Sequence, residues 1–226
     1  MAYRRTPAVQ ARLDKQAGVI VHATTRVLSR EGFAGLSMAA VAAEAGVATG
    51  TVYKHFSGKS ELVTAVFREV VAREVAAVAQ AGAAGSGDVV ERVTASVETF
   101  AGRALKNPKL AYVLLAEPVD TVVDAERLRF RRAFAEIYET AVAEGVAGGR
   151  LPPQNPRISA AALVGAIGEV LVGPLGEARQ SESVIPELVD FALRALGFAD
   201  VRGVGGAHPD ARTPQTRDDR APASPE

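Results

Sequence analysis

A short segment near residue 50 carries a group of polar side chains that could bind a partner. Apolar Val47, Val52 and Phe56 recur at helical spacing, so one face of a short helix would turn toward a core. The other face would then present hydroxyl, amine and imidazole groups to a partner. Its polar members are Thr49, Gly50, Thr51, Tyr53, Lys54 and His55. Taken singly, Tyr53 would be a packing residue and His55 an ordinary surface histidine, but their place beside Lys54 favours a DNA-facing surface.

Other chemistries are poorly supported by the residue types. The chain has no cysteine, which excludes disulfides, thiolate nucleophiles and zinc sites that use sulfur. Its three histidines lie far apart, and no serine-hydrolase or zinc-protease motif occurs. The triplet at residues 58–60 resembles the end of a nucleotide-binding loop, but Tyr53 stands where that loop requires a glycine. We therefore expect no enzyme activity, no metal and no cofactor.

The elements that must position the polar segment are helices. Helical periodicity dominates and no alternating strand pattern occurs, which predicts an all-α fold of about nine helices. Thr6 and Pro7 begin a first helix that ends at Gly32. Ser37 caps a second that Gly46 stops, and a third runs to about His55. Two short helices joined by a glycine turn predict a helix-turn-helix, whose later helix enters the major groove of DNA.

The remaining chain predicts a larger helical unit. A long fourth helix begins at Ser57 and fades over residues 81–87, and five further helices follow. These span residues 88–107, 108–117, 124–144, 155–172 and 183–196. Beyond Gly203 the chain is polar and rich in proline, which predicts disorder. The expected domains are 1–58 for DNA binding, 59–200 for regulation and dimerisation, and 201–226 as a disordered tail.

Charge is distributed unevenly between these units. The whole chain has 26 basic and 26 acidic residues and a formal net charge of zero. Residues 1–60 hold eight basic and three acidic residues, a net charge of +5, and the rest carries −5. A small basic module attracts phosphates, and an acidic body is repelled by them. The distribution favours double-stranded DNA as the partner of the first unit.

No segment predicts a membrane partner or export. The most apolar stretch, Ile158 to Val172, contains Glu169 and is shorter than the about 20 residues that a membrane span needs. The first residues include arginines but no apolar run of the kind that a secretory signal requires. We expect a cytoplasmic protein.

The segment from Thr24 to Val70 resembles the N-terminal domain of the TetR family of bacterial transcriptional repressors. The residues that carry the resemblance are Gly32-Phe33, Ser37, Val41-Ala42, Ala45-Gly46-Val47, Gly50-Thr51-Val52-Tyr53, His55-Phe56, Lys59 and Leu62. They cover about a quarter of the chain, and the later helices are similar to the family's regulatory domain in number and length. The resemblance implies a dimer that binds a palindromic operator.

The resemblance also implies roles for individual residues. Those expected to face bases or the nearby backbone are Thr49, Gly50, Thr51 and Lys54. Those expected to bind phosphates are Tyr53, His55 and Lys59, with Ser37 capping its helix and meeting a phosphate as well. Arg4 and Arg5 would reach along the backbone or into a minor groove as an arm. The family often has Ser or Pro where this chain has Ala48 and Thr49, which leaves the base preference open.

Two further groups of residues concern the larger unit. Five aromatic residues at helical spacing are either core or the wall of a cavity for an apolar or aromatic effector: Phe100, Tyr112, Phe130, Phe134 and Tyr138. Seven residues of the last two helices form either packing within the chain or a dimer interface: Ala161, Gly165, Gly168, Ile185, Leu188, Val189 and Ala192. In the TetR family these helices form a four-helix interface, which favours the second interpretation. The arginine-rich run at residues 127–132 is expected to be a charged exterior in which one or two arginines pair with acids, with a pocket role as the less favoured alternative.

These observations favour a DNA-binding repressor that acts as a homodimer and is released from its operator by a small molecule. Because the chain lacks cysteine, the signal would arrive by binding rather than by thiol oxidation. An activator or a ligand-independent regulator of the same fold remains an alternative. An all-α enzyme or small-molecule carrier is a weaker one, since no nucleophile with a base and no metal cluster is evident.

Overall fold

The computed structural model describes residues 6–84, 88–172 and 184–198. Within these ranges the chain forms nine α-helices and no strand, which confirms the expected all-α fold. The helices are α1 (Pro7–Glu31), α2 (Met38–Ala45), α3 (Thr49–His55), α4 (Lys59–Ala83), α5 (Val89–Lys106), α6 (Pro108–Leu115), α7 (Thr121–Ala147), α8 (Pro156–Val172) and α9 (Val184–Ala195). No described helix combines the length and the hydropathy required of a membrane span.

The ends of the first three helices follow the predicted capping chemistry. The Ser37 hydroxyl accepts a hydrogen bond from the Ala40 N–H at 3.0 Å and begins α2. Gly46 ends α2 at φ 67°, a left-handed conformation in which glycine carries no Cβ penalty. The Thr6 side chain caps α1, whose last residue precedes Gly32. The predicted helix-turn-helix is therefore present as α2 and α3.

Two helix boundaries differ from the prediction. Helix α7 begins at Thr121 rather than at residue 124, because Asp120 Oδ1 accepts hydrogen bonds from the N–H groups of Val122 and Val123, both at 3.0 Å, and so caps the helix. Gly145 lies buried inside α7 instead of ending it. A Cβ at Gly145 would lie 2.8 Å from Leu151 Cδ1, so this glycine permits a close approach of the following loop.

The fourth helix also begins slightly later than predicted. Helix α4 starts at Lys59. The preceding residue, Gly58, has no side chain that could cap the helix. Ser57 instead donates from its backbone N–H and its hydroxyl to Glu61 Oε2, at 2.7 and 2.8 Å. These bonds hold the polar turn between α3 and α4 in place.

The buried apolar residues form two clusters along the chain. The first joins α1 to α4 with α6 and the first half of α7, and it includes Val52, Leu62 and Phe67. The second joins α5, the second half of α7, α8 and α9. Since the beginning of α4 completes the core around α3, the helix-turn-helix is supported by the helix that continues into the larger unit.

The first turns of α1 are exposed, unlike its second half. Val9 is 48% exposed, whereas Ile20, Val27 and Leu28 are buried. The 25 residues of α1 extend about 37 Å, against about 12 Å for the eight residues of α2, so the beginning of α1 extends past the helices that would cover it. The predicted arm at Arg4 and Arg5, the residue Ser183 and the predicted tail lie outside the described residues.

Candidate nucleic-acid interface and effector cavity

The short helix α3 separates buried apolar side chains from exposed polar ones. Val52 is fully buried and Phe56 is nearly so. Tyr53 is 56% exposed, and Thr49, Gly50 and Lys54 are also exposed, with Thr51 half-buried. The helix thus presents hydroxyl groups, a phenol and an ammonium to the surface. Its dimensions and polarity match those of a helix that lies in a DNA groove.

Residues around α3 are held by contacts that the sequence did not predict. His55 is half-buried, and its Nε2 lies 3.0 Å from Gln16 Oε1 on α1. Lys59 is exposed, with its Nζ 5.4 Å from the centre of the Phe33 ring. Both side chains are therefore oriented by neighbours near the surface that carries Tyr53. Gln16 had no distinguishing pattern in the sequence, because its partner comes from another helix 39 positions later.

Two of the basic side chains of the first unit form ion pairs within the fold. Arg26 and Arg30 on α1 both pair with Glu44 on α2. Their hydrogen bonds lower the pKa of the Glu44 carboxyl below its ordinary value. Among the described residues 6–60, the basic side chains without an acidic partner are Arg12, Lys15, Lys54 and Lys59. Within residues 6–60 these four are therefore free to bind phosphates, whereas Arg26 and Arg30 are already paired with Glu44.

A cavity of about 610 Å³ lies between α5, α6, α7 and α8. Four of the five predicted aromatic residues line it: Phe100, Phe130, Phe134 and Tyr138. The ring centres of Phe130 and Phe134 are 4.5 Å apart, and those of Phe100 and Phe134 are 4.6 Å apart. Tyr112 is placed elsewhere, 45% exposed on α6 and outside this lining. The size and lining suit a small apolar molecule.

A second cavity of about 260 Å³ lies between α4, α5 and α6. It shares Phe100, Leu115 and Phe130 with the larger cavity. Its polar lining residues are Arg73, Glu74, Arg103, Lys106 and Asn107. Arg103 binds Glu74 through Nε and through Nη2, the latter at 2.9 Å, and this contact raises the pKa of Arg103.

The prediction of a charged exterior was wrong for Arg127, which is buried and lines the larger cavity. Its guanidinium donates to the carbonyl oxygens of Val113 and Leu114, at 2.8 and 3.1 Å, and to that of Glu117. It also pairs with Asp124 at 2.7 Å. Arg127 therefore supplies donors to carbonyls that the end of α6 leaves without helical partners. Its helical spacing from Phe130 and Phe134 was a usable indication of this inward orientation.

The buried hydroxyl of Tyr138 has no hydrogen-bond partner among the described residues. Burial also raises its pKa, so the phenol stays neutral. An unpaired buried hydroxyl costs about 1–3 kcal/mol relative to a paired one. Tyr138 is thus a polar group in the cavity wall whose bonding capacity is unused.

Helix α6 connects the cavities to the helix-turn-helix unit. Asn107 Nδ2 donates to Ser29 Oγ at 2.8 Å, and Lys109 Nζ donates to the Arg30 carbonyl at 2.7 Å. Beyond α6, Glu117 Oε2 accepts from the Phe33 N–H at 3.1 Å. The same helix lines both cavities through Leu115. A displacement of α6 would therefore directly alter these hydrogen bonds to the end of α1.

The predicted interface residues divide into two sets. Leu188, Val189 and Ala192 are buried in the chain's own core, so packing within the chain accounts for them. Ala161 and Gly165 are exposed on α8, and Gly168 and Ile185 are half-buried. A Cβ at either glycine would meet no atom within 4 Å, so packing within the described chain does not require glycine there. Exposed Ile158 and Phe191, which the prediction omitted, extend the apolar surface of α8 and α9.

No group of three or more potential metal ligands occurs in the part of the chain that the structure describes.

The N-terminal part of the chain matches a known family model. Residues 20–66 match the model of bacterial regulatory proteins of the tetR family. No curated protein matches the sequence. The chain is similar in structure to the fatty acid degradation regulator FadR from Bacillus halodurans, with 19% identity, a TM-score of 0.70 and coverage of 84% of this chain and 97% of the other.

Two further solved structures show the same fold. FadR from Bacillus subtilis, in complex with stearoyl-CoA, has 16% identity and a TM-score of 0.70 over 79% of this chain and 98% of its own. A TetR transcription regulator from Haloarcula marismortui has 17% identity and a TM-score of 0.69 over 81% and 97%. The family match covers the helix-turn-helix unit, and the solved structures show that the same fold extends over about four fifths of the chain.

Proposed function

We propose that the protein is a repressor that binds a palindromic operator as a homodimer and leaves it when a small molecule occupies the cavities. It would act in the cytoplasm, where its DNA partner lies. The observation that carries this proposal is the exposed polar face of α3, joined through α4 and α6 to a cavity lined by aromatic side chains.

The contacts with DNA would be divided between bases and phosphates. Thr49, Gly50, Thr51 and Lys54 lie on or near the exposed face of α3 and are suited to base edges and the adjacent backbone. Around them, Tyr53, His55 and Lys59 would bind phosphates, with Ser37 beside its capped helix. The arm at Arg4 and Arg5 would add contacts outside the described residues.

Release would follow from the shared position of α4 and α6. The first half of α4 packs in the core that holds α3, and Val70 and Val71 in its middle line the smaller cavity. A ligand that binds better when α4 and α6 are displaced shifts the population toward that arrangement. The spacing of two recognition helices in a dimer would then no longer match about 34 Å, one turn of DNA.

The exposed face of α8 is the proposed dimer surface. Ile158, Ala161, Ala162, Gly165 and Glu169 are exposed and recur at helical spacing along one side. Small residues permit a second α8 to approach closely, and Phe191 on α9 adds apolar area. A symmetric pairing of this face with its copy gives the two-fold symmetry that a palindromic operator requires.

The proposal is tested by selecting duplexes from a random DNA pool with the full-length protein and measuring the affinity of the selected sites by fluorescence anisotropy. A palindromic site should be enriched. If the dimer neutralises about six phosphates, its affinity should fall roughly 1,000-fold between 50 and 200 mM salt. No enriched site, or binding that does not depend on salt, would contradict the proposal.

A transcription assay distinguishes the alternatives of the same fold. The selected site is placed across a promoter, and transcript is measured with and without protein. Reduced transcript supports a repressor, whereas increased transcript indicates an activator. A ligand-independent regulator would remain bound to DNA in the presence of every compound shown by calorimetry to bind the protein. Absence of any DNA binding with intact ligand binding would indicate a small-molecule carrier.

A further inference from the structure

The two cavities are neighbours separated by a few side chains. Phe100, Leu115 and Phe130 line both of them, and the Phe100 and Phe130 ring centres are 6.2 Å apart. Phe100 is only half-buried, so its ring is less confined than the fully packed aromatics. Rotation of one aromatic side chain would join spaces of about 610 and 260 Å³ into one elongated site. Such a shape accepts an extended molecule better than a compact one.

The charges on the two linings differ. In the larger cavity, Arg127 and Arg131 are matched by two acidic residues, Asp124 and Glu169. The smaller cavity has Arg73, Arg103 and Lys106 against a single acidic residue, Glu74, an excess of two positive charges. Nearby cations attract an anion most strongly where the local balance is positive.

The excess at the smaller cavity resides on two exposed side chains. Glu74 is bound by Arg103 through two nitrogens, and Arg73 approaches it less closely, with Nε 3.4 Å from Oε1. Lys106 is exposed and forms no ion pair with a described residue. Arg73 and Lys106 are thus able to bind an incoming anion while Arg103 neutralises Glu74. The interior behind them is apolar, with Val70, Leu110 and Leu114 among the lining residues.

The dimer proposed above would cover part of the other side. Gly165 and Glu169 line the larger cavity and also belong to the exposed face of α8. A second copy on that face would restrict access there and leave the opening between α4 and α5 accessible. The positive opening is therefore the more accessible entrance in a dimer.

From this geometry we propose that the effector is an elongated anionic amphiphile. Its anionic head binds Arg73 and Lys106 between α4 and α5, and its apolar chain passes Phe100 into the larger, aromatic-lined cavity. This rests on the proposed function, because it identifies the chemical class of the effector at the same cavities. A carboxylate and a phosphate-bearing head share the required negative charge.

Calorimetry on the full-length protein tests the charge requirement with probes of one chain length below their micellar concentrations. Dodecanoate supplies a carboxylate, dodecanoyl-CoA supplies phosphates, and dodecylammonium and dodecan-1-ol are the cationic and uncharged controls. At least one of the two anions should bind roughly 10-fold more tightly than either control. Equal affinity for dodecylammonium or dodecan-1-ol, or no binding of either anion, would overturn the proposal.

Variants test the position of the head. Arg73→Gln and Lys106→Gln should each weaken binding of the preferred anion about fivefold. Arg132→Gln is the matched control, because Arg132 is exposed on α7 outside both linings and should leave the affinity unchanged. A loss confined to Arg131→Gln would place the head at the larger cavity and overturn the assignment.

A substitution at Phe100 tests the passage between cavities. Phe100→Trp should weaken dodecanoate binding at least fivefold and leave binding of the shorter hexanoate unchanged. Phe100→Leu, which is smaller, should retain dodecanoate binding and shows whether the site tolerates substitution. Thermal unfolding of each variant measures its folding independently. Equal loss for both chain lengths in a folded Phe100→Trp variant would refute the passage.

Anisotropy on the selected operator separates failure of this inference from failure of the proposed function. If the operator is bound and a compound of another class releases it, the regulator is as proposed and the anionic effector is refuted. If no operator is bound, the proposed function fails whatever calorimetry shows. Binding of the anion with release of bound operator supports both.

Discussion

Neighbouring side chains on α3 have separate tasks because the helix is short and buried on one side. Val52 contributes to the core, while adjacent Tyr53 points a phenol to the surface. Lys54 follows on the exposed side, and His55 turns back toward Gln16. The role of each residue thus follows from its direction relative to the core rather than from its type.

Tyr53→Phe should weaken operator binding by about 1 kcal/mol for each subunit, because the hydroxyl that is proposed to bind phosphate is lost while the ring remains. The loss should be similar on the operator and on unrelated DNA, since phosphates carry no sequence information. Fluorescence anisotropy with both duplexes measures it. Tyr112→Phe is the matched control, because Tyr112 is also exposed but lies on α6. A loss restricted to the operator would assign Tyr53 to base contacts instead.

Helix α6 links the helix-turn-helix unit to the two cavities. It is only eight residues long, yet it contacts the end of α1 and lines both cavities. Its C-terminal carbonyls are bonded by the buried Arg127 guanidinium. A short helix cannot stabilise itself in isolation, so its position depends on these tertiary contacts.

Arg127→Ala should lower the free energy of unfolding by about 2–4 kcal/mol, because it leaves buried carbonyls without donors and removes the partner of Asp124. Urea denaturation at pH 7 measures the change. Arg129→Ala is the control, since Arg129 is 68% exposed and its ion pair with Glu126 contributes little. A similar small effect for both variants would show that Arg127 does not hold α6.

The beginning of α4 should make stability depend on pH. Hydrogen bonds from the Ser57 N–H and hydroxyl lower the pKa of the Glu61 carboxyl. A carboxyl with a lowered folded-state pKa stabilises the fold above its unfolded-state pKa, and this contribution is lost as the pH falls through the folded-state pKa. Glu61 also lies in the first turn of α4, where the helix dipole favours negative charge.

Glu61→Gln should therefore reduce stability by about 0.5–1 kcal/mol at pH 7, and the difference from the original protein should disappear in acid. Urea denaturation across the pH range provides the measurement. Glu98→Gln, an exposed change on α5, should show no comparable convergence. A difference between Glu61→Gln and the original protein that persists unchanged in acid would mean that ionised Glu61 is not responsible.

In the whole molecule, the proposed DNA binding would depend on the pairing of two copies as well as on the fold of each. A Cβ added to Gly165 or Gly168 of α8 would meet no atom of the described chain within 4 Å, and Ala161 beside them is exposed. A helix interior glycine costs about 1 kcal/mol relative to alanine, so its presence is consistent with a close approach by a partner.

Ala161→Glu should convert the proposed dimer to a monomer, because two carboxylates would face each other across the two-fold axis. Sedimentation equilibrium measures the mass, and operator affinity should fall at least 10-fold as the second recognition helix is lost. Ala76→Glu, an exposed alanine changed on α4, should remain dimeric. An unchanged mass for Ala161→Glu would remove this face from the interface.

Local chemistry made most helices predictable from the residues. Thr6, Ser37, Gly46 and Asp88 act on neighbouring backbone groups, so their effects depend on nearby residues, and the helix ends they predict are present. The resemblance around α2 and α3 was equally local, and the family match at residues 20–66 confirms it. The start of α7 was predicted at residue 124, three residues too late. Local reasoning could not decide this boundary, because Asp120 and Asp124 are both acceptable caps by type.

Long-range packing decided the features that distant residues make together. Arg127 is buried and binds backbone carbonyls because the end of α6 packs beside it. Tyr112 is exposed because it lies on the side of α6 that faces away from the cavity. Leu188 is buried in the core whereas Ala161 is exposed, and this difference likewise depends on how α8 and α9 pack. Capping and periodicity act over one helical turn, whereas burial and cavities arise from contacts between helices far apart in the chain, and only the tertiary structure specifies those contacts.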